Sequence, residues 1–407
     1  MVPTDDPQTQ ALVREHPEVW ALLPRNSPAY MDNSVVDVVL ADTLVRMIKA
    51  HHPTAKLGFE LIFRGGQLRA LDATLPKDVS LMNMVNWGGE TAMSDFDKIQ
   101  GRDLVVWPRI TDDGCELNIQ LNAMMYDNDR TIADAVRYGL TGVLGQLNKS
   151  RGAEQSAQYI AEGAWNPAID CQSFYRRYLG RLYGPEALEP LLKAFILLEE
   201  NEKNLGWRGR QGLMSIWAAS CANGAYLRSQ NHHYVPLREF KIDASVRAEL
   251  EKAVPVADER KTFWGGRAVH CGQALELLRQ ARSKVPAGSR DELDYVIYKT
   301  ENFVTVFQEL AAVQEARAAF DRALLARSDG NEGEVGKQLE QCRTALDRAG
   351  RLVRQAAEQM IPYSRIDPTE RHILWIFNKA IPSHDTAQQY LAQLVAVHKA
   401  QTQGAKP

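Results

Sequence analysis

Five acidic residues stand inside apolar runs or in the loops behind them: Glu60, Glu90, the pair Asp112 and Asp113, and Glu154. An acid so placed can move protons when burial or a neighbouring charge sets its pKa. Glu60 is the sharpest candidate. It sits within LGFELIF, residues 57–63, where a carboxylate must find a partner or keep its proton. An ion pair with Arg64 or Arg109 would make its role structural instead. Asp112-Asp113-Gly114 fits a turn as well as it fits a catalytic pair. Glu154 suits a helix start, where its charge meets the positive end of the helix. Flat rings and polar side chains accompany these acids. Trp87 and Trp107 each close an apolar run and would serve as a stacking platform or as ordinary core. Gln146, Asn148 and Arg151 follow another run, and Glu90, Arg109 and the cluster Tyr126-Asp127-Asn128 can border the same cleft. Arginine's forked donors match a carboxylate among possible ligand groups.

Four short apolar runs must position these groups: residues 57–63, 79–87, 104–107 and 142–145. Their separations of about twenty to forty residues favour parallel β/α connections over hairpins. The last run, Gly142-Val143-Leu144-Gly145, is bounded by glycines and too short for a helix. Behind it come a polar segment, residues 147–151, and an amphipathic helix opened by Glu154 and stopped at Trp165-Asn166-Pro167. Strand, polar loop and returning helix make one β/α unit, and such proteins keep their chemistry in that loop. Trp165 is expected to plug the junction between the β/α and helical regions. Upstream, residues 35–50 predict a helix with Asn33 or Ser34 as N-cap and with Val35, Val38, Val39, Val45 and Ile48 on one face. Trp20, Leu22 and Leu23 predict a short segment packed on the body. Residues 131–137 predict a helix feeding the last strand, and residues 88–102 a short helix at most.

No strand is expected from residue 170 onward. Helices are expected over 174–184 and 187–207, then helix and loop over 208–240, a stretch rich in Trp, Tyr, Asn and His. Amphipathic helices follow over 245–253, 267–283, 290–326, 335–360 and 386–402, with turns at 286–292 and 328–334. Their charged faces read as the solvated exterior of a bundle. The fold class is therefore α/β: a partial TIM-like barrel of about four β/α units followed by an all-α domain. The expected segments are 1–34, 35–184 and 185–407. A complete barrel takes about 250 residues, so its first half would lie outside this chain.

With 407 residues, a formal net charge of −3 and a pI near 6.3, the chain is a poor match for a nucleic-acid backbone. Its five cysteines, Cys115, Cys171, Cys221, Cys271 and Cys342, include no CxxC pair and read as thiols of a reducing compartment. No export signal and no membrane-spanning run is visible, so a cytoplasmic protein without membrane contact is expected. His232-His233 lacks a third ligand at useful spacing. Phosphate loops, nucleophile elbows and dinucleotide fingerprints are missing, so neither metal nor cofactor is expected.

Three pieces carry a family resemblance: PTAKLGFE over residues 53–60, DLVVW with its polar loop over 103–114, and the glycine-flanked last strand followed by residues 154–184 with YIAEGAWNP and FYRRYLGRLYG. In this order they resemble the last part of glycoside hydrolase barrels of the α-glucuronidase and β-N-acetylhexosaminidase type, which pass into a C-terminal helical domain. The likeness covers roughly residues 35–205. It implies hydrolysis of an O-glycosidic bond in an oligosaccharide or glycoside by two carboxyl groups, with Glu60, Asp112 and Asp113 as candidates. It further implies sugar contacts from Trp87, Glu90, Trp107, Arg109, Tyr126, Gln146, Asn148 and Arg151. The strand that usually carries the proton donor would lie before Met1, so a complementing N-terminal half or a homo-oligomer is an expected partner. Two other readings stay open: a non-catalytic carbohydrate-binding or scaffolding protein, and a helical interaction protein merely anchored by its β/α region.

Overall fold

The computed structural model describes residues 7–23, 28–61, 67–84, 96, 99–107, 125–145, 154–201, 242, 244–366 and 368–404. They fall into two compact units, one ending at Phe174 and the other starting at Tyr175. The class is mixed α/β, a small parallel sheet with its helices and a set of long helices.

In the first unit, three helices, α1 (Pro7–Glu15), α2 (Pro17–Leu22) and α3 (Pro28–His51), precede the sheet. Then come β1 (Leu57–Leu61), α4 (Gln67–Thr74), β2 (Val79–Met84), β3 (Leu104–Trp107), α5 (Met125–Arg137), β4 (Gly142–Val143) and α6 (Glu154–Trp165). All four apolar runs form strands, and they pair in parallel in chain order, β1-β2-β3-β4. Positions 62–63 and 85–87 of the expected runs lie outside the described residues. The register aligns Phe59 with Leu81 and Leu81 with Leu104, then Val106 with Val143. These residues form one face. Leu81, Leu104 and Val106 are buried there against Val35, Val38, Ala41 and Val45 of α3 and Leu68, Leu71 and Leu75 near α4, with Trp20, Leu22 and Leu23 on the same core.

The start of α3 differs from expectation. The helix begins at Pro28, whose fixed φ suits a first turn, and it runs through Asn33 and Ser34, which therefore cap nothing. Ile48 is also misassigned: at 40% exposed it falls outside the buried stripe, which continues instead through Ala41. The sequence reading also left α4 out, a helix too short for periodicity to stand out.

The second unit is helical. α7 (Cys171–Tyr183) leads to α8, residues 188–201, and then to four long helices: α9 (Ala244–Arg282), α10 (Arg290–Ser328), α11 (Glu332–Ser364) and α12 (Pro368–Gly404). α10 packs against both α9 and α11, and α11 against α12. α10 is accordingly buried on nearly every side, with Phe303 and Phe307 stacked along it and Trp264 of α9 stacked on Phe307 at 5.8 Å. Gly330 (φ +71°) makes the sharp reversal after α10, and the Asn331 side chain caps α11 by accepting from the Glu334 N–H at 3.2 Å.

The two helices expected over 245–253 and 267–283 are one, and it carries Pro255 and the pair Gly265-Gly266 in its interior. An interior proline costs about 3 kcal/mol. Burial of Leu250, Ala257, Trp264, Leu275 and Leu278 along the same helix outweighs it. In the same way α12 starts at Pro368, well before the expected residue 386, and runs through Pro382. Residues 202–240, with His232 and His233, lie outside the described residues.

One polar interaction organises each unit. Arg102, just before β3, has a fully buried side chain. Its Nε donates to Asp72 Oδ1 at 2.7 Å, Nη1 to the Val79 carbonyl at 2.9 Å, and Nη2 to the Asp72 and Leu75 carbonyls, both at 3.0 Å. In the bundle, His384 Nε2 of α12 meets Glu309 Oε1 of α10 at 3.1 Å, both side chains buried.

Removing one partner of such a buried pair strands the other in a poor dielectric. Arg102→Met is expected to cost about 3–5 kcal/mol in urea unfolding, and a loss below 1 kcal/mol would mean that the network is dispensable. Glu309→Ala and His384→Ala should each cost a similar amount. Their double replacement should cost less than the sum, and strict additivity would show that the two groups are uncoupled.

Candidate functional site

Sheet parity decides which candidate positions share a surface. Glu60 pairs with Met82, Met82 with Val105, and Val105 with Gly142. Trp107 pairs with Met84, two positions beyond Met82. Alternation therefore puts positions 60 and 107 on one face, opposite the face packed on α3 and α4. Along this second face Ser80, Met82, Val105 and Gly142 are only half-buried and Gly58 is exposed. Met82 closes over Gly58, where an added Cβ would come within 3.0 Å of its terminal methyl. Glu60 is the penultimate residue of β1 and Trp107 the last of β3, so both positions lie at the carboxyl ends of their strands. Open parallel sheets bind their ligands at that end.

Tyr126 lies in the first turn of α5, the helix that delivers the chain to β4. Trp87, Glu90, Arg109, Asp112, Asp113, Gln146, Asn148 and Arg151 lie outside the described residues. Glu154 occupies the first turn of α6, as its charge suggested. Trp165 is a correction: it stands 93% exposed at the end of α6 and plugs nothing. The stop at Asn166-Pro167 leaves the ring beyond the last packed turn, and the buried side of α6 is carried by Tyr159, Ile160 and Gly163.

The structure adds an acid that the sequence reading passed over. Asp129 lies in the second turn of α5, and its carboxyl is pushed up to about 6, first by burial and then by the negative charge of Asp170. Nearby, α5 and α6 pack closely. Ile132 of α5 fills the space left at Gly163 of α6, where any Cβ would collide with it, and Tyr159 of α6 meets Phe174 edge-on at 5.1 Å. Asp170 Oδ1 accepts from the Ser173 N–H at 2.8 Å, which caps α7 and holds the charge in place. The α5 end is fixed by Gly139 (φ +63°), with Leu140 N–H reaching back to the Ala135 carbonyl at 2.9 Å. An acid that keeps its proton close to neutral pH is suited to donate it. The available signal was its spacing, three residues before the buried Ile132 and so on the packed side of the helix.

Among the described residues no group of three His, Cys, Asp or Glu side chains could hold a metal ion. Cys171, Cys271 and Cys342 are buried, and burial followed by the Asp321 charge pushes the Cys342 thiol far up, which makes it inert. No helix among the described residues is long and apolar enough to cross a membrane.

Asp129 has a raised folded-state pKa, so its contribution to stability is fully present below about pH 4, the ordinary carboxyl value, and is lost as the pH rises through its folded value of about 6. Asp129→Asn removes this titration. Its melting temperature should gain on the wild type between acid and neutral pH, and a gap that stays constant across that window would refute the assignment.

No family model matches the chain, and no curated protein matches it. Among solved structures it is similar to a GH138 enzyme targeting pectin rhamnogalacturonan II, at 11% identity and a TM-score of 0.52 over 86% of this chain. The alignment covers 58% of that enzyme's chain. At this identity the likeness is one of fold.

Proposed function

We propose that this chain is a glycoside hydrolase, or the C-terminal portion of one, that cleaves an O-glycosidic bond at the carboxyl rim of its sheet. The observation that carries the reading is strand order. Four parallel strands pair in strict sequence order, with α3 and α4 packed on one face of them. Simple order supports a partial β/α barrel over a doubly wound sheet, in which the strand order reverses. The structural neighbour, a glycoside hydrolase, supports the same reading. The finer kinship to α-glucuronidase and β-N-acetylhexosaminidase barrels rests on residues 53–60, 103–114 and 154–184 and belongs to this proposal.

In the proposed mechanism one carboxyl group protonates the leaving oxygen and another either attacks the anomeric carbon or activates water, without a cofactor. Glu60 takes one part and Asp112 or Asp113 the other. Trp87 and Trp107 stack on sugar rings, and Glu90, Arg109, Tyr126, Gln146, Asn148 and Arg151 hold hydroxyls or a sugar carboxylate. A second reading, a carbohydrate-binding or scaffolding protein without turnover, draws on the partial coverage of the neighbour; a complementing half would then supply the missing strands.

Assays of the purified chain on aryl glycosides and acidic pectic oligosaccharides separate the two readings. Under the first, Glu60→Gln should lower kcat by about 10²–10⁴ while leaving the circular dichroism unchanged. Wild-type turnover that survives this substitution would remove Glu60 from the mechanism. Saturable oligosaccharide binding without hydrolysis would favour the second reading.

A further inference from the structure

A cavity of about 290 Å³ opens between α9 and α10, far along the chain from the sheet. Its interior is polar in a specific way. Gln314 is 3% exposed, and its Oε1 accepts no hydrogen bond among the described residues. Asp321, two turns further along α10, is 7% exposed and lines the same cavity. Both present acceptor oxygens, and the orphan Gln314 Oε1 calls for a donor. The wall facing them is apolar: Leu250, Ala253, Val256 and Ala257 of α9. At the mouth the charges are mostly positive. Lys252 and Arg260 are exposed and form no ion pair among the described residues, Arg317 stands on α10 between Gln314 and Asp321, and Glu249 is the one acid beside them.

We infer that this cavity binds a small hydroxylated carboxylate of monosaccharide size, a sugar acid in chemical class. Its hydroxyls donate to Gln314 Oε1 and to the Asp321 carboxyl, its carbon skeleton lies on the α9 wall, and its carboxylate meets the guanidinium groups of Arg260 and Arg317. Each class of lining group then has one partner. A neutral sugar would leave the guanidinium groups unused, and a simple fatty acid would leave Gln314 Oε1 without a donor. The volume, at the low end for ligand pockets, holds one ring and no more. The site is separate from the sheet rim and does not depend on how that rim is read.

The test is titration calorimetry of the full chain with sodium D-glucuronate, with D-glucose as the neutral control. The expected result is saturable glucuronate binding with a Kd on the order of 1 mM and much weaker binding of glucose. Gln314→Leu and Arg260→Gln should each weaken glucuronate by roughly tenfold, which corresponds to about 1.4 kcal/mol. Arg260 is exposed, so its variant is expected to fold even if the Gln314 variant does not; thermal unfolding of each checks this. No saturable binding by the wild type, equal affinity for glucose, or a folded Arg260→Gln variant with undiminished affinity would each overturn the assignment.

Discussion

Everything in the first unit depends on where its buried guanidinium is allowed to sit. The apolar contacts of Leu68, Leu71 and Leu75 with Val79, Leu81, Leu104 and Val106 supply most of the burial, but such contacts have no direction. A parallel sheet could slide by one residue and still bury leucine against valine, at the cost of turning every side chain over. Arg102 removes that freedom. It reaches the carbonyls of Asp72 and Leu75 at the end of α4, the Val79 carbonyl at the start of β2, and the Asp72 carboxylate, from a position just ahead of β3. Helix C-termini leave carbonyls without partners, and a planar fork of donors answers several at once. Burying a charge costs several kcal/mol before any bond forms, so the network contributes less to net stability than to specifying one register. It ties down the amino ends of the strands, so the loops that leave the carboxyl ends can vary without loosening the sheet.

The second constraint is that the sheet has two unequal faces. Parallel sheets are usually buried on both. Here one face is closed by α3 and α4, while the row through Met82, Val105 and Gly142 is half-buried. Simple strand order suits that asymmetry, because parallel connections of one hand collect their helices on one side. Position 60 lies on that half-buried face by parity with Met82. An acid there is explicable as chemistry or as an internal ion pair. It has no explanation as a core residue.

Much of this was legible. The four strands stood out because a buried parallel strand reads as an unbroken apolar run, and LVVW at 104–107 matches β3 to the residue. What failed did so for physical reasons. Pro255, Gly265 and Gly266 read locally as breaks, and only the burial of α9 along α10 overrides them. Trp165 looked like a plug because large apolar rings are usually buried, yet the helix ends under it. Arg102 closes the 88–102 stretch without standing out, since nothing local tells an arginine that it will be enclosed by carbonyls from distant segments. Asp129 is not set apart from its polar neighbours 126–128 by the sequence, because its burial and the Asp170 charge beside it come from tertiary packing that periodicity along α5 cannot foresee. The positions behind the strands, where most candidate residues fall, were chosen by topology, and topology is what the structure supports best.

The helical unit poses the opposite problem, a helix with too little surface for its polar residues. α10 is enclosed along most of its length, so Glu309, Gln314 and Asp321 are buried whether or not partners exist. Glu309 has His384 at 3.1 Å. Asp321 is drawn toward Arg317 and Arg322, but burial dominates and pushes its carboxyl up to about 6. A leucine at either remaining position would extend the core at no polar cost, whereas a buried amide oxygen without a donor costs about 1–3 kcal/mol. A helix buried along most of its length does not carry such a cost at Gln314 beside a cavity without a compensating donor. In unit and chemistry alike, that need is distinct from the sheet's. Under the proposed reading the sheet places carboxyl groups on either side of a bond, whereas the bundle must find a donor for the Gln314 oxygen it has already enclosed.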